Sequence, residues 1–125
     1  MSRTLLAILI ALLAGVLSAC TEPAMPDLKV IIGATLIRGS EPPLPNSVII
    51  VKSDRIVAVG PQQMVPIPAG SQKVEAYGKF VAPAEEAGTL SVGAEASLLL
   101  LSRDPATSPK AQSIERRMVA GRWVE

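Results

Sequence analysis

The chain has 125 residues, a length that fits one domain with a modest core. It contains 12 Lys and Arg against 11 Asp and Glu, which gives a formal net charge of +1. The balanced charge and the single Trp, Tyr and Phe exclude the basic patch and the base-stacking platform that are typical of nucleic-acid-binding proteins. There is no histidine, which removes the commonest general base and zinc ligand and excludes Ser-His, Cys-His and His-x-His chemistry.

The first twenty residues have the pattern of an export signal. Arg3 precedes an uninterrupted apolar segment at 5–17 (LLAILIALLAGVL). At about 1.5 Å per helical residue, this segment is too short to cross a hydrocarbon core of roughly 30 Å, but it fits the helical core of a signal peptide. Leu-Ser-Ala-Cys at 17–20 then resembles the lipobox of bacterial lipoproteins. The resemblance implies cleavage between Ala19 and Cys20 and acylation of Cys20; the alternative is an ordinary secretion signal with a chance cysteine.

The lipobox divides the chain into a signal peptide at 1–19, a Pro-rich tether at 20–27 and a domain at 28–125. The implied location is the bacterial cell envelope, with acyl chains on Cys20 as the membrane anchor. The residue after Cys20 is Thr21 and not an aspartate. This resembles the pattern of lipoproteins sorted to the outer membrane, with the domain facing the periplasm. Because Cys20 is the only cysteine, the mature chain must be stabilised by packing without an internal disulfide.

The domain sequence predicts short strands separated by turns, and no helix of useful length. The segment at 97–102 (SLLLLS) fits a buried strand or a short helix core, and its length with Gly93 before it favours a strand. The Pro-rich segments at 41–46 and 61–70 are predicted to be loops. The expected fold is all-β, a small antiparallel sandwich or open barrel with seven or eight strands. Nine short segments are the candidates for these strands: 28–32, 35–37, 47–52, 55–59, 73–77, 80–82, 97–102, 114–119 and 122–124.

Six segments, in this order, resemble the N-terminal and C-terminal strands of metal-dependent amidohydrolases, the group that includes imidazolonepropionase-like and dihydroorotase-like enzymes. The first three fall within residues 28–83 and the others within 88–125. Each is weak alone, and their order over nearly the whole domain is the specific signal. They are VIIGATLI at 30–37, SDRIVAVG at 53–60, AYGKFVAP at 76–83, GTLSVGAEASL at 88–98, RDP at 103–105 and MVAGRWV at 118–124.

The resemblance implies that the two halves form the small β-sandwich that accompanies a catalytic (β/α)₈ barrel in that family. The barrel would be inserted after Pro83, yet only residues 84–87 separate Pro83 from Gly88. A barrel of this type takes about 250 residues. We therefore expect it to be missing together with every metal ligand and catalytic residue, so that no metal, cofactor or catalytic role is assigned. Ser97 also stands where the family typically has an aspartate, at a site that we expect to be structural.

The sequence contains two kinds of polar pair that are candidate chemical sites. Glu85 and Glu86 at the junction form a candidate cation-binding or acid–base pair. Adjacent side chains point apart in regular structure, which favours a solvated loop. Two Ser-x-Lys pairs are candidate nucleophile and base, but both lie in Pro-rich segments with nothing apolar around the lysine. These pairs are Ser71 with Lys73 and Ser108 with Lys110.

The C-terminal hairpin offers a candidate interaction strip. Arg116 and Arg117, with Arg122 across the turn, form a possible basic strip for anionic lipid or peptidoglycan. The alternative is that they are solvent-facing residues that protect an edge strand from aggregation. Trp123 is either a recognition aromatic or a cover for the core.

The sequence thus favours a non-catalytic, membrane-anchored module that binds another envelope component through the surface that a barrel would cover. One alternative is the sandwich half of a split hydrolase, completed by a separately encoded barrel chain. A second is the remnant of a full-length enzyme after an internal deletion. Exposed strand edges allow a homodimer.

Overall fold

The computed structural model describes residues 25–85 and 88–124. This part of the chain forms eight strands and one short helix. The elements are β1 (Met25–Arg38), β2 (Glu41–Lys52), β3 (Arg55–Pro61), β4 (Ser71–Glu75), β5 (Phe80–Pro83), β6 (Leu98–Leu101), α1 (Lys110–Ser113), β7 (Ile114–Val119) and β8 (Arg122–Val124).

All strands belong to one open sheet with the order β3-β2-β1-β5-β6-β7-β8, and β4 pairs with β1 off this path. The all-β prediction is confirmed. The sheet is mixed, however, because β4 and β5 both run parallel to β1 while every other pairing is antiparallel. Parallel pairing requires a crossover connection, and the irregular segment between β3 and β4 provides it. β1 is long enough to pair with β4 through its first half and with β5 at Thr35 and Leu36.

β1 is continuous where the sequence predicted two strands separated by Gly33. The ladder with β2 shifts register between Ile32 and Ala34, and Gly33 has a φ of +87°. The ring of Tyr77 lies where a Cβ at Gly33 would project. Glycine therefore bends the strand as a bulge and leaves room for the aromatic ring. The strand also begins at Met25, so that residues 25–27 of the predicted tether lie in the sheet.

The prediction of a loop at 41–46 is wrong, because these residues form the first half of β2. Proline lacks an N–H group and is tolerated in a strand that has an open edge. The pairing of β2 with β3 begins only at Ser47, so among the strands residues 41–46 pair with β1 alone. The carbonyl of Asn46 also accepts a hydrogen bond from the amide of Gln62, at 3.0 Å. Two further register shifts, between Ala34 and Arg38 of β1, accommodate the three prolines.

The main core lies inside the curled sheet and draws on both halves of the chain. β6 is buried on both faces, since Leu98 and Leu100 point into this core while Leu99 and Leu101 pack on the outer side. Burial on both faces explains why the segment at 97–102 is apolar throughout, and the predicted strand is confirmed. The main core contains Ile31, Ala34, Leu36, Ile49, Val51, Ile56, Ala76, Val81, Ala96, Leu98, Leu100 and Met118.

Candidate interaction surfaces

The β7–β8 hairpin is closed by a two-residue turn at Ala120 and Gly121, as predicted. Their φ angles of +49° and +81° are those of the hairpin turn that matches strand twist. The amide N–H of Gly121 donates to the carbonyl of Ala96 at 2.9 Å. The Cα of Gly121 lies against the backbone carbonyl of Ser53 in the β2–β3 turn. The hairpin is therefore held against the N-terminal half of the chain.

Trp123 is half-buried and packs on the main core, opposite Met118 in the ladder. The guanidinium carbon of Arg116 lies 4.1 Å from the centroid of the Trp123 ring, at the distance of a cation–π contact. This geometry favours the covering role of Trp123 over a recognition role, because one face of its ring is already occupied.

The other two arginines of the predicted strip lie on the opposite face of the hairpin. The ladder pairs Arg117 with Val124 and Val119 with Arg122, whereas Arg116 alternates onto the face of Met118. The structure therefore does not bring the three arginines into one strip. Val119 and Val124 are 45% and 40% exposed, so the outer face is a mixed apolar and basic surface.

The junction of the two halves is closed by direct pairing of β5 with β6. Four residue pairs join these strands, from Phe80 with Leu101 to Pro83 with Leu98. Beyond them, the amide of Ala84 donates to the carbonyl of Ser97 at 3.2 Å. The Ser97 hydroxyl oxygen accepts a hydrogen bond from the amide of Ala120 at 3.1 Å. Ser97 thus ties the junction to the β7–β8 turn, in agreement with the structural role expected for this position.

A second contact joins the halves at the edge of β3. Three backbone hydrogen bonds of 2.8–2.9 Å form this contact. They run from the amide of Ile56 to the carbonyl of Ala94, from the amide of Gly93 to the carbonyl of Ile56, and from the amide of Ala96 to the carbonyl of Asp54. The segment before β6 therefore covers the start of β3, which leaves the sheet open but protects part of its edge.

A cleft of about 460 Å³ lies beside the junction. Residues 37–41, at the β1–β2 turn, line one side, and Pro83 with residues 88–91 line the other. Within it, the Arg38 guanidinium donates twice to the carbonyl of Pro42, at 2.7 and 3.0 Å, and lies 3.6 Å from the Glu41 carboxylate. No local sequence signal marks this cleft, because its two sides are more than forty positions apart in the chain.

The other candidate pairs receive no support as chemical sites. Glu85 is exposed, and Glu86 lies outside the described residues. The Ser71 hydroxyl donates to the carbonyl of Pro68 at 2.7 Å. Within residues 25–85 and 88–124, no group of three or more possible metal ligands is present, and no hydrogen bond joins either Ser-x-Lys pair, Ser71 with Lys73 or Ser108 with Lys110.

Ala19 and Cys20, the predicted cleavage and acylation residues, lie outside the described part of the chain. Among the helices that are described, none has both the length and the apolar character needed to span a bilayer.

No family model and no curated protein matches this chain. Solved structures do match part of it. Molinate hydrolase is 26% identical over 48% of this chain, with a TM-score of 0.43. Phenylurea hydrolase B is 33% identical over 46%, with a TM-score of 0.43. D-Hydantoinase from Bacillus sp. AR9 is 27% identical over 45%, with a TM-score of 0.37.

These matches cover 13%, 13% and 11% of the respective hydrolases. By name these proteins are hydrolases of the class that the sequence resemblance indicates. With TM-scores below 0.5, the superpositions by themselves establish neither a family nor an activity for this chain.

Proposed function

We propose that this chain is a lipid-anchored, non-catalytic protein of the bacterial cell envelope, whose amidohydrolase-like β-domain binds another envelope component. The observation that carries the proposal is the pairing of β5 with β6. It joins the strands before and after the missing barrel into one sheet, and Val81, Leu98 and Leu100 share one core. The domain therefore has the contacts of a folded unit without the barrel.

The chain lacks the residues that catalysis in the resembled family requires. The chain has no histidine, and four residues separate Pro83 from Gly88, where the family resemblance places the barrel. A carboxylate pair alone, Glu85 with Glu86, lacks the ligands that a hydrolytic metal requires. The catalytic barrel, metal and substrate of the resembled enzymes are therefore not transferred to this chain.

The cleft beside the junction is the binding surface of the proposal. It lies where a barrel would leave and re-enter the domain. Leu90 lines one side of the cleft, and the polar turn at Gly39 and Ser40 lines the other. A concave surface with a few polar groups fits a loop or an extended segment of a partner protein.

Site-specific photo-crosslinking in intact cells tests this role. A photoreactive amino acid at Thr89, in the cleft, is expected to give one discrete adduct. The same residue at Gln63, which is exposed outside the cleft, serves as the matched control. The adduct should disappear when Ser91→Arg is added, because Ser91 is exposed at the cleft and a long charged side chain there would exclude a partner segment. Equal adducts at both positions, or none at Thr89, would argue against a binding cleft.

The split-hydrolase alternative is favoured by the same position of the cleft, since a separate barrel chain would dock there. It predicts that the adduct partner is a barrel protein and that adding this protein gives metal-dependent hydrolysis, which Ser91→Arg abolishes. A remnant without function predicts no adduct and no stable protein in cells.

A further inference from the structure

The start of the described chain is fixed beside two turns. The amide of Ser53 donates to the carbonyl of Asp27 at 3.0 Å, and Gly121 packs on the Ser53 carbonyl. The first residues of β1, the β2–β3 turn and the β7–β8 turn therefore meet at one place. We call this place the turn surface and define it by Lys52, Ser53, Asp54, Gly121 and Arg122.

The length of the tether limits how far this surface lies from a lipid on Cys20. β1 begins at Met25, where it pairs with Ser71, so residues 21–24 alone connect Cys20 to the sheet. A fully extended chain covers at most about 3.3–3.6 Å per residue, which places Met25 within roughly 18 Å of the acylated residue. Asp27, which binds Ser53, is two residues further along β1, so the turn surface begins within roughly 25 Å of the acylated residue.

The charge of the turn surface suits an anionic headgroup layer. Lys52 and Arg122 are exposed, and within the described residues neither forms an ion pair. Arg55 is adjacent, but its guanidinium lies 3.9 Å from the Asp54 carboxylate, and its strand pairs with Glu95. Asp27 is a second exposed carboxylate at this place, so three cations, Lys52, Arg55 and Arg122, stand against two carboxylates. Lys52 and Arg122 are the cations available to lipid phosphates.

We infer that the turn surface faces the bilayer that holds the acyl chains of Cys20 and contacts its anionic phospholipid headgroups through Lys52 and Arg122. The inference rests on the proposed lipid anchor. In this orientation, the other end of the β1–β2 ribbon points away from the anchored start of the chain. That end is the turn at Gly39 and Ser40, beside the cleft.

Fluorescence quenching of the full-length acylated protein in vesicles tests this orientation. Acylation occupies Cys20, so a probe on Ser53→Cys or on the matched turn variant Ser40→Cys labels one position. In vesicles of phosphatidylcholine and phosphatidylglycerol with nitroxide-labelled headgroups, the probe at position 53 should be quenched severalfold more strongly than the probe at position 40. High salt should reduce the difference, because it screens exposed charges.

The charge contribution is tested by Lys52→Gln with Arg122→Gln. This variant should lose quenching at position 53 in anionic vesicles and not in pure phosphatidylcholine. The control Arg103→Gln with Lys110→Gln removes the same charge elsewhere and should leave quenching unchanged.

Two results would overturn the inference in distinguishable ways. Equal quenching at positions 53 and 40 in vesicle-bound protein contradicts the orientation and leaves the anchor intact. Labelling of Cys20 by maleimide in protein that stays out of the vesicle fraction contradicts the anchor, and the orientation is lost with it.

Discussion

The Cα of Gly121 lies against the backbone carbonyl of Ser53, although the two residues belong to turns in different halves of the domain. A Cβ at position 121 would overlap the Ser53 carbonyl, so this contact requires glycine for space as well as for its φ of +81°. The contact joins the N-terminal half of the domain to the C-terminal half.

Gly121→Ala is expected to destabilise the domain strongly. Gly39→Ala is the matched control, because Gly39 also has a positive φ, of +65°, but no atom within 4 Å of an added Cβ. The control should lose about 1–2 kcal/mol for the left-handed conformation alone. Gly121→Ala should lose about 1–3 kcal/mol more through overlap with the Ser53 backbone. Urea unfolding measures both losses, and equal losses would contradict the close approach.

Trp123 is the only tryptophan, so its fluorescence reports the Arg116 contact directly. Arg116→Gln should change the emission of Trp123 and lower the free energy of unfolding by about 0.5–1 kcal/mol, as expected for a cation–π contact at a partly exposed site. Arg117→Gln, on the opposite face, should leave the emission unchanged and alter stability by less than about 0.5 kcal/mol. An equal response of the emission to both substitutions would contradict the placement of the two arginines.

Ser97→Ala removes the oxygen that accepts the hydrogen bond from the amide of Ala120. The free energy of unfolding should fall by about 0.5–1.5 kcal/mol. Ser97→Asp retains an acceptor at this position, the residue type typical of the resembled family, and should unfold at higher urea concentration than Ser97→Ala. If the two variants were equally destabilised, the hydrogen bond to Ala120 would not be the role of this side chain.

Leu100→Ala tests the shared core. Leu100 is 1% exposed and packs with residues from both halves, so its truncation should lower the free energy of unfolding by about 2–5 kcal/mol. Val57→Ala, at a strand position that is 44% exposed, is the surface control and should change stability by well under about 1 kcal/mol. A similar small effect at both positions would show that the halves do not pack together.

The elements that the sequence predicts well have local signals. Ala120 and Gly121 lie between two short alternating segments, so the β7–β8 hairpin follows from turn geometry alone. The segment at 41–46 was predicted wrongly because a run of prolines indicates a loop unless one edge of the strand is open, and edge position depends on where β3 ends.

Other features depend on contacts between distant segments. The parallel pairing of β4 and β5 with β1 depends on which edge of a long strand remains free after β2 has paired. The separation of Arg116 from Arg117 and Arg122 follows once the strand register is known, and the cleft forms where residues 37–41 meet residues 88–91. None of these relationships has a local sequence signal.

The central claim is that β1–β5 and β6–β8 close into one sheet without a barrel. Hydrogen exchange followed by NMR on the acylated full-length protein in detergent tests it most directly. The account predicts that the paired strands β5 and β6 are protected together with β1 and β2, and that cross-strand contacts link Val81 with Leu100 and Ala82 with Leu99. Rapid exchange throughout β6–β8 while β1–β4 remains protected would contradict it.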